Sequence, residues 1–302
     1  NITTAPDTLV QIMYTRLASV DAYTAGRYPQ NKSLEGNSGM ADKQGTMISE
    51  ALDIGLVAND FDAMVRFYRD GLGMPSIEGI ELPGTKLTRF QAGRGVLKFN
   101  QTSALPDPAP GDVTRSRGMK LLTIVAPDLQ PISQSLEAAG FPALSIEDHG
   151  QYTLAFTKDP NDTLIELAGA KGYGPDPVIQ AIGLTVGNME ASRSFLTEVL
   201  GFTEGKTEPV PSLGTDKHEF AAGATTLKLW QIDDLEAHTG PIQAYAGIRY
   251  LTAVVDDMDA VLSRARDAGR NVPFGPVDIA PGVQIAMVED PDGNWFEVAS
   301  RG

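Results

Sequence analysis

Residues 52–60 read LDIGLVAND, and residues 180–188 read QAIGLTVGN. Each stretch is an apolar, β-branched run that contains Ile-Gly-Leu and has a polar Asn at or next to its end. Ile54-Gly55-Leu56 therefore matches Ile182-Gly183-Leu184, 128 positions further along the chain. A repeat at such a spacing has to be recognised first, because it determines how the rest of the chain is read.

Further blocks match at nearly the same spacing. They are FYRDGLGM (67–74) with FLTEVLGF (195–202), GMKLLTIVAPDL (118–129) with GIRYLTAVVDDM (247–258), and DPNDTLIEL (159–167) with DPDGNWFEV (290–298). Several blocks in one register make a chance match improbable, so the sequence predicts a duplicated chain.

Each half contains two shorter units. A unit begins with a β-branched run, continues with a helical pattern and ends in three extended runs. Asp60 is placed to cap the first helix, and Gly140 and Gly269 stand where the second and fourth helices should stop. The sequence predicts an α+β fold of four βαβββ modules that form two open eight-stranded cups, with an N-terminal helical arm.

Proline- and glycine-rich connectors set the predicted boundaries. We expect an arm over residues 1–48, with a helix from Leu9 to Val20 and an irregular linker. A first domain of modules 1 and 2 spans residues 49–170, and a linker spans 171–177. A second domain of modules 3 and 4 spans residues 178–302.

Composition excludes several classes of function. The formal charge of −15 repels polyanions, so we expect no nucleic-acid partner. No run approaches the ~18–20 apolar residues of a membrane span. The absence of cysteine excludes disulfides and thiolate chemistry. Asn1 in place of Met favours an exported, periplasmic product over a cytoplasmic one, and either a monomer or a homodimer is compatible with the sequence.

The stretches Ile54 to Met74 and Ile182 to Phe202, with Asp290-Pro291-Asp292-Gly293-Asn294 and Glu297, resemble the vicinal oxygen chelate superfamily of glyoxalase, bleomycin-resistance and extradiol-dioxygenase proteins. The resemblance covers roughly residues 50–300. It implies a divalent metal held by residues on the first and last strands of the modules. It does not identify a reaction, because the family includes lyases, isomerases, dioxygenases and non-catalytic binders.

The positions that would carry the implied metal ligands depart from the family. Where the family often has His, the four modules have Asp53, Leu121, Ala181 and Tyr250. Where it often has Glu, they have Lys98, Glu166, Lys228 and Glu297. An ammonium at the site repels a cation and competes for the carboxylate, so we expect no metal and no other cofactor.

Strand alternation turns these lysines and glutamates away from their apolar neighbours and into the cups. We therefore hypothesise that a Lys–Glu pair replaces the metal in each half, Lys98 with Glu166 and Lys228 with Glu297. A solvated strand face for the lysines, structural hydrogen bonds for the glutamates and a strand-start cap for Asp53 remain open.

The same alternation predicts the lining of each cup. Around Tyr250, the second cup gains Trp230, Trp295, Thr185 and Thr252, while the first gains Asn100, Thr123 and Leu164. Both tryptophans of the chain would then line one cavity, which suits a planar or apolar molecule. Plain packing of each tryptophan is the alternative. His218 could face the second cup as an acid or base, and His149 and His238 fall in surface loops.

Four functions follow from these patterns. The first is a metal-independent protein that binds a small aromatic or amphipathic molecule in the C-terminal cup. The second is a lyase, isomerase or hydrolase that uses Glu297 with Lys228 or Tyr250 for proton transfer. A metal enzyme with Asp53, Glu166 and Asn100 as ligands, such as a dioxygenase, is the third. An assembly role of the N-terminal arm is the fourth.

Overall fold

The first strands of the four modules form the centres of two sheets. The computed structural model describes residues 44–82, 85–101 and 106–301. The predicted helix from Leu9 to Val20 lies outside the described residues.

The strands and helices follow the predicted module order. In module 1 they are β1 (Asp53–Val57), α1 (Phe61–Val65, continued by a π-helical turn Arg66–Gly71), β2 (Ser76–Leu82), β3 (Thr85–Ala92) and β4 (Gly95–Gln101). In module 2 they are β5 (Gly118–Ala126), α2 (Gln130–Ala138), β6 (Glu147–Asp148), β7 (Tyr152–Lys158) and β8 (Leu164–Ala170).

The second half repeats this order. Module 3 has β9 (Val178–Val186), α3 (Met189–Ser194, continued by a π-helical turn Phe195–Val199), β10 (Thr203–Val210), β11 (Thr215–Ala222) and β12 (Thr225–Gln231). Module 4 follows a 3-10 turn (Ile242–Ala244) and has β13 (Gly247–Val255), α4 (Met258–Asp267), β14 (Phe274–Ala280), β15 (Val283–Glu289) and β16 (Trp295–Arg301).

The helix ends use the residues that the sequence offers for them. The Asp60 side chain accepts a hydrogen bond from the Ala63 backbone N–H, and Asp257 does the same for Ala260. Gly140 and Gly269 follow α2 and α4 with positive φ angles of 85° and 68°, a conformation that favours glycine.

Two eight-stranded sheets result, as predicted, but each combines one module from each half. The first has the order β14-β15-β16-β13-β1-β4-β3-β2 and is called sheet 1/4. The second has the order β10-β11-β12-β9-β5-β8-β7-β6 and is called sheet 2/3. The prediction that modules 1 and 2 share one cup, and modules 3 and 4 the other, is therefore wrong.

The exchange occurs at the central strands. β1 pairs antiparallel with β13, and β5 pairs antiparallel with β9. All four first strands are similarly apolar, so the residues that form them do not select between the two pairings. Module 2 leaves module 1 and joins module 3 in sheet 2/3.

One face of each sheet packs into a continuous core. Leu97, Leu251 and Phe296 of sheet 1/4 and Ile182 and Leu227 of sheet 2/3 belong to the same buried cluster, together with the apolar faces of the helices. The opposite faces are called the 1/4 cup and the 2/3 cup. No helix in the described part of the chain is long and apolar enough to cross a bilayer.

The repeated glycine of the Ile-Gly-Leu motif makes room on the cup side. A Cβ at Gly55 would lie 2.1 Å from ring atoms of Tyr250, across the contact between β1 and β13. A Cβ at Gly183 would lie 2.8 Å from both Leu121 and Trp230. In both sheets, a large side chain from the facing strand occupies the space above a glycine.

We predict that Gly55→Ala lowers the free energy of unfolding by about 1–3 kcal/mol, because the Tyr250 ring has to move. Urea unfolding measures this change. Gly174→Ala is the matched control, since nothing lies within 4 Å of its Cβ position. Equal stability of the two variants would contradict the pairing of β1 with β13.

Candidate functional site

The centre of the 1/4 cup is a buried ammonium–carboxylate pair. On β4, Leu97 and Phe99 enter the core, so Lys98 points to the opposite face. Lys98 and Glu297 are only 7% and 9% exposed, and Lys98 Nζ lies 3.2 Å from Glu297 Oε1. The Thr252 hydroxyl donates to Glu297 Oε1 at 2.8 Å and accepts from Lys98 Nζ at 2.5 Å.

Further polar groups surround this pair. Asp53 Oδ2 lies 3.7 Å from Lys98 Nζ, while Asp53 Oδ1 accepts a hydrogen bond from the Val96 backbone N–H. The Lys98 ammonium lies 5.1 Å from the centre of the Tyr250 ring, within the range of a cation–π interaction. Asn100 Nδ2 donates to the Tyr250 hydroxyl at 3.3 Å. The buried cation is thus enclosed by two carboxylates and an aromatic face.

The surroundings keep Lys98 in its protonated, charged form. Burial alone would lower the pKa of Lys98, but the charges of Glu297 and Asp53 outweigh it and hold the pKa above its usual value. Burial raises the pKa of Tyr250 above its ordinary value as well. Neither group is therefore poised to give up a proton near neutral pH.

The 2/3 cup has the equivalent arrangement. Lys228 Nζ lies 2.7 Å from Glu166 Oε2, and it donates to the Thr123 hydroxyl at 2.9 Å. Thr123 in turn donates to Glu166 Oε2 at 2.5 Å. Burial by itself would raise the pKa of Glu166, but Lys228 and then Thr123 outweigh burial and lower that pKa. All three side chains are buried.

Both Lys–Glu pairs exist, but with exchanged partners. The predicted pairs Lys98–Glu166 and Lys228–Glu297 are wrong, because Lys98 and Glu297 share sheet 1/4 while Lys228 and Glu166 share sheet 2/3. For the same reason Lys228 does not join Glu297 and Tyr250 in one site. The exchange of modules between the sheets accounts for all of these differences.

The two tryptophans lie in different cups. Trp295 begins β16 in the 1/4 cup, is half-buried, and donates from Nε1 to Glu289 Oε1 at 3.1 Å. Trp230 lies in the 2/3 cup and packs against Val113 and Leu121. The prediction that both line a single cavity is therefore wrong.

Residues of the chain itself fill much of the 2/3 cup. The Thr185 hydroxyl donates to the Val113 carbonyl oxygen at 2.5 Å, so the connector between β4 and β5 lies over β9. Leu213, from the turn between β10 and β11, packs against the cluster that contains Trp230. Sequence reasoning missed this filling. The signal that could have revealed it is Val113, an apolar residue within a polar connector.

His218 lies on the other face of sheet 2/3. It is paired with Leu229, which belongs to the core, whereas its neighbour Glu219 is paired with Lys228. Directly paired residues share a face, so the prediction that His218 faces the cup is wrong. Its Nδ1 lies 3.1 Å from the Thr207 hydroxyl oxygen.

The 1/4 cup also has an apolar side that is less covered. Val254, Ile285 and Ala299 form a small buried cluster beside the polar group. On the edge strand β14, Val277 pairs with Ile285, and Phe274 pairs with Met287, the neighbour of Glu297. Phe274 is 45% exposed and Val277 is 36% exposed. One face of the sheet thus offers charged, aromatic and apolar surface together.

The donor set of the cups does not suit a divalent metal. An ammonium lies within hydrogen-bonding distance of the glutamate in each cup. Over the ranges that the structure describes, no three His, Cys, Asp or Glu side chains are grouped to hold a metal ion. Asp53 and Asn100 lie in sheet 1/4 and Glu166 lies in sheet 2/3, so this predicted ligand set is not assembled.

Comparison with known proteins adds a family match. The model of the Glyoxalase/Bleomycin resistance protein/Dioxygenase superfamily matches residues 51–167 and 178–298. Lactoylglutathione lyase of Haemophilus influenzae is 34% identical over 123 residues, which cover 38% of this chain and 85% of that enzyme. The family match therefore extends over both halves of the chain. The match to the lyase is about as long as one of these halves.

Two solved structures are similar to this chain over most of its length. Glyoxalase I from Zea mays has a TM-score of 0.65 at 17% sequence identity, covering 83% of this chain and 92% of that one. A putative dioxygenase from Bacillus subtilis has a TM-score of 0.60 at 16% identity, covering 86% of each chain. At these identities the similarity concerns the fold alone.

The pairing of Lys228 with Glu166 leads to a prediction about stability. Lys228→Met should lower the free energy of unfolding by about 3–5 kcal/mol, because Glu166 is left charged and unpaired in the core of the cup. Lys206→Met is the control, since Lys206 is exposed on the nearby strand β10, and it should change stability little. Urea unfolding measures both variants.

A double-mutant cycle tests which glutamate is the partner. Lys228→Met combined with Glu166→Gln should cost less than the sum of the single changes, whereas Lys228→Met with Glu297→Gln should be additive. Additivity in the first cycle and coupling in the second would contradict the pairing of Lys228 with Glu166.

Proposed function

The chain belongs to the Glyoxalase/Bleomycin resistance protein/Dioxygenase superfamily, and on that basis we propose that it binds a small aromatic or amphipathic molecule in the 1/4 cup without a resident divalent metal. The observation that carries the proposal is the contrast between the two cups. Both have a satisfied Lys–Glu pair, but within the described part of the chain only the 1/4 cup combines it with exposed apolar side chains on its edge strand.

The composition of the 1/4 cup favours a ligand with an apolar body. Phe274 and Val277 remain exposed beside the buried residues Ile285 and Val254. Contiguous exposed apolar surface next to polar groups is typical of ligand grooves. The half-buried Trp295 at the start of β16 adds an aromatic contact at the same side.

The polar part of the ligand would contact the half-buried polar residues around Lys98. Asp53 and Asn100 are half-buried, in contrast to the buried Glu297 beneath them. The Tyr250 hydroxyl accepts from Asn100 and keeps its own proton for donation to a ligand oxygen. This arrangement orients a polar group while the apolar strand binds the rest of the molecule.

The proposal moves the ligand site from the cup that the sequence favoured. That prediction assumed that Trp230, Trp295 and Lys228 surround one cavity in the C-terminal half. Because Trp230 is packed beneath Val113, the site is now centred on Trp295, Tyr250 and the edge strand β14. The class of ligand is unchanged.

The two tryptophans provide a direct test of the site. With 1-anilinonaphthalene-8-sulfonate as the first probe, Trp230→Phe should retain a saturable change in tryptophan fluorescence, because Trp295 remains. Trp295→Phe should lose that change. Retention in Trp295→Phe, with loss in Trp230→Phe, would place the ligand in the 2/3 cup and contradict the proposal.

Removal of the edge aromatic tests the apolar half of the site in the same experiment. Phe274→Ser should weaken probe binding about tenfold or more, since burial of such a side chain contributes about 1.5–3 kcal/mol. Leu213→Ser is the matched control, because it removes an apolar side chain over the other cup.

The metal-free part of the proposal has a separate test. We expect elemental analysis of the purified protein to find no stoichiometric Fe, Mn, Ni or Zn, and we expect chelator treatment to leave the melting temperature unchanged. Lys98→Ala should gain a stabilising response to Ni²⁺ or Zn²⁺, because Asp53 and Glu297 then lose their ammonium. Lys86→Ala, at an exposed position of β3, should show no such gain. A stoichiometric metal in the unaltered protein would refute this part.

A further inference from the structure

A narrow crevice separates the beginnings of β5 and β13, and no residue of the two Lys–Glu pairs lines it. Its walls come from equivalent parts of the repeat: the strand starts at Met119 and Ile248, and the turns at Thr163 and Asn294. The space inside is about 20 Å³, enough for a single particle of about the size of a water molecule.

Two cations enter this crevice from equivalent positions. Lys120 lies in GMKLLT and Arg249 in GIRYLT, and they are 8% and 6% exposed. Lys120 Nζ donates to the carbonyl oxygens of Ala109 and Pro110, both at 3.1 Å. These partners are neutral, so the charge of Lys120 is solvated by backbone dipoles.

Arg249 is also bonded to neutral acceptors. Its guanidinium donates to the backbone oxygens of four residues in the loop before β13, at 3.1–3.3 Å: His238, Gly240, Pro241 and Ile242. A lysine has three N–H donors and an arginine has five. After these contacts, one donor of Lys120 and one of Arg249 are left without a partner in the described part of the chain.

The positive charge in the crevice is poorly compensated. Burial, and then the charge of Arg249, lower the pKa of Lys120 to about 8. Burial lowers the pKa of Arg249 to about 10. Asp112 lines the crevice and offsets part of the charge on Lys120, but its Oδ1 accepts from the N–H and hydroxyl of Thr114. Asp162, at the edge, is paired with Lys158.

A third polar atom of the same wall is unsatisfied. His238 Nδ1 is buried and has no hydrogen-bond partner in the described part of the chain. Buried polar atoms are rarely left without a partner, and a bound ion or water commonly supplies one. The crevice thus combines two spare cationic donors with an unpartnered ring nitrogen.

We propose that this crevice binds one halide-sized anion, chloride in the ordinary case, between Lys120 and Arg249. The anion would neutralise charge that the chain leaves uncompensated. Since Lys120 belongs to module 2 and Arg249 to module 4, it would also join the two sheets. An anion bound only by the folded chain stabilises it by mass action.

Bromide provides a direct test by diffraction. Crystals of the full chain soaked in sodium bromide should show an anomalous peak within hydrogen-bonding distance of Lys120 Nζ and the Arg249 guanidinium. Bromide peaks confined to other surfaces would overturn the proposal.

Thermal unfolding tests the site in solution. At equal ionic strength, the melting temperature should be several degrees higher in sodium chloride than in sodium gluconate, whose anion is too large for the crevice. That difference should disappear in Lys120→Met and persist in Lys206→Met, which removes an exposed lysine of β10 that does not line the crevice. Equal melting temperatures of the unaltered protein in the two salts would overturn the proposal.

A second variant covers the case in which Lys120→Met does not fold. Arg249→Lys keeps the positive charge but loses the fork of donors, so the chloride effect should shrink while the chain still folds. An undiminished chloride effect in Arg249→Lys would show that the anion binds elsewhere.

Discussion

A buried charge has to find its partner inside the protein, and this constraint governs both cups. Lys98 and Lys228 project from the last strand of their modules into a face with little access to water. Each is stabilised only where a glutamate from the last strand of another module reaches it across the central strands. The desolvation of such ions costs several kcal/mol unless geometry and hydrogen bonds are good. Thr252 and Thr123 complete that geometry, because each accepts a hydrogen bond from the lysine and donates one to the glutamate.

Strand alternation was enough to predict much of this arrangement. Lys98 between Leu97 and Phe99, and Glu297 between Phe296 and Val298, have only one direction open to them once their neighbours are in the core. The order of elements and the helix caps followed from equally local rules. Partner choice is not local. Lys98 can meet Glu166 or Glu297 depending on which first strands lie side by side, and the four first strands are too alike to decide.

The same limit explains the remaining differences. Trp230 and Trp295 were assigned a common cavity because they lie in the same half of the sequence, yet the sheets separate them. Val113 fills the 2/3 cup from a connector, where no periodic pattern marks it as buried. Lys120 and Arg249 were visible as equivalent residues of the repeat, but their uncompensated charge became apparent only from their neutral hydrogen-bond partners.

The exchange of modules between sheets bears on how a chain of this kind becomes a single molecule. A half-length protein, with only two modules, would have to meet a second copy to build sheets of this composition, and its folding would depend on concentration. The connector around residues 171–177 removes that dependence, because a tether holds the two halves at an effective concentration on the order of millimolar. Once joined, the two cups are free to diverge. Here Val113 of a connector packs into one cup, while Phe274 and Val277 stay exposed on the edge strand of the other.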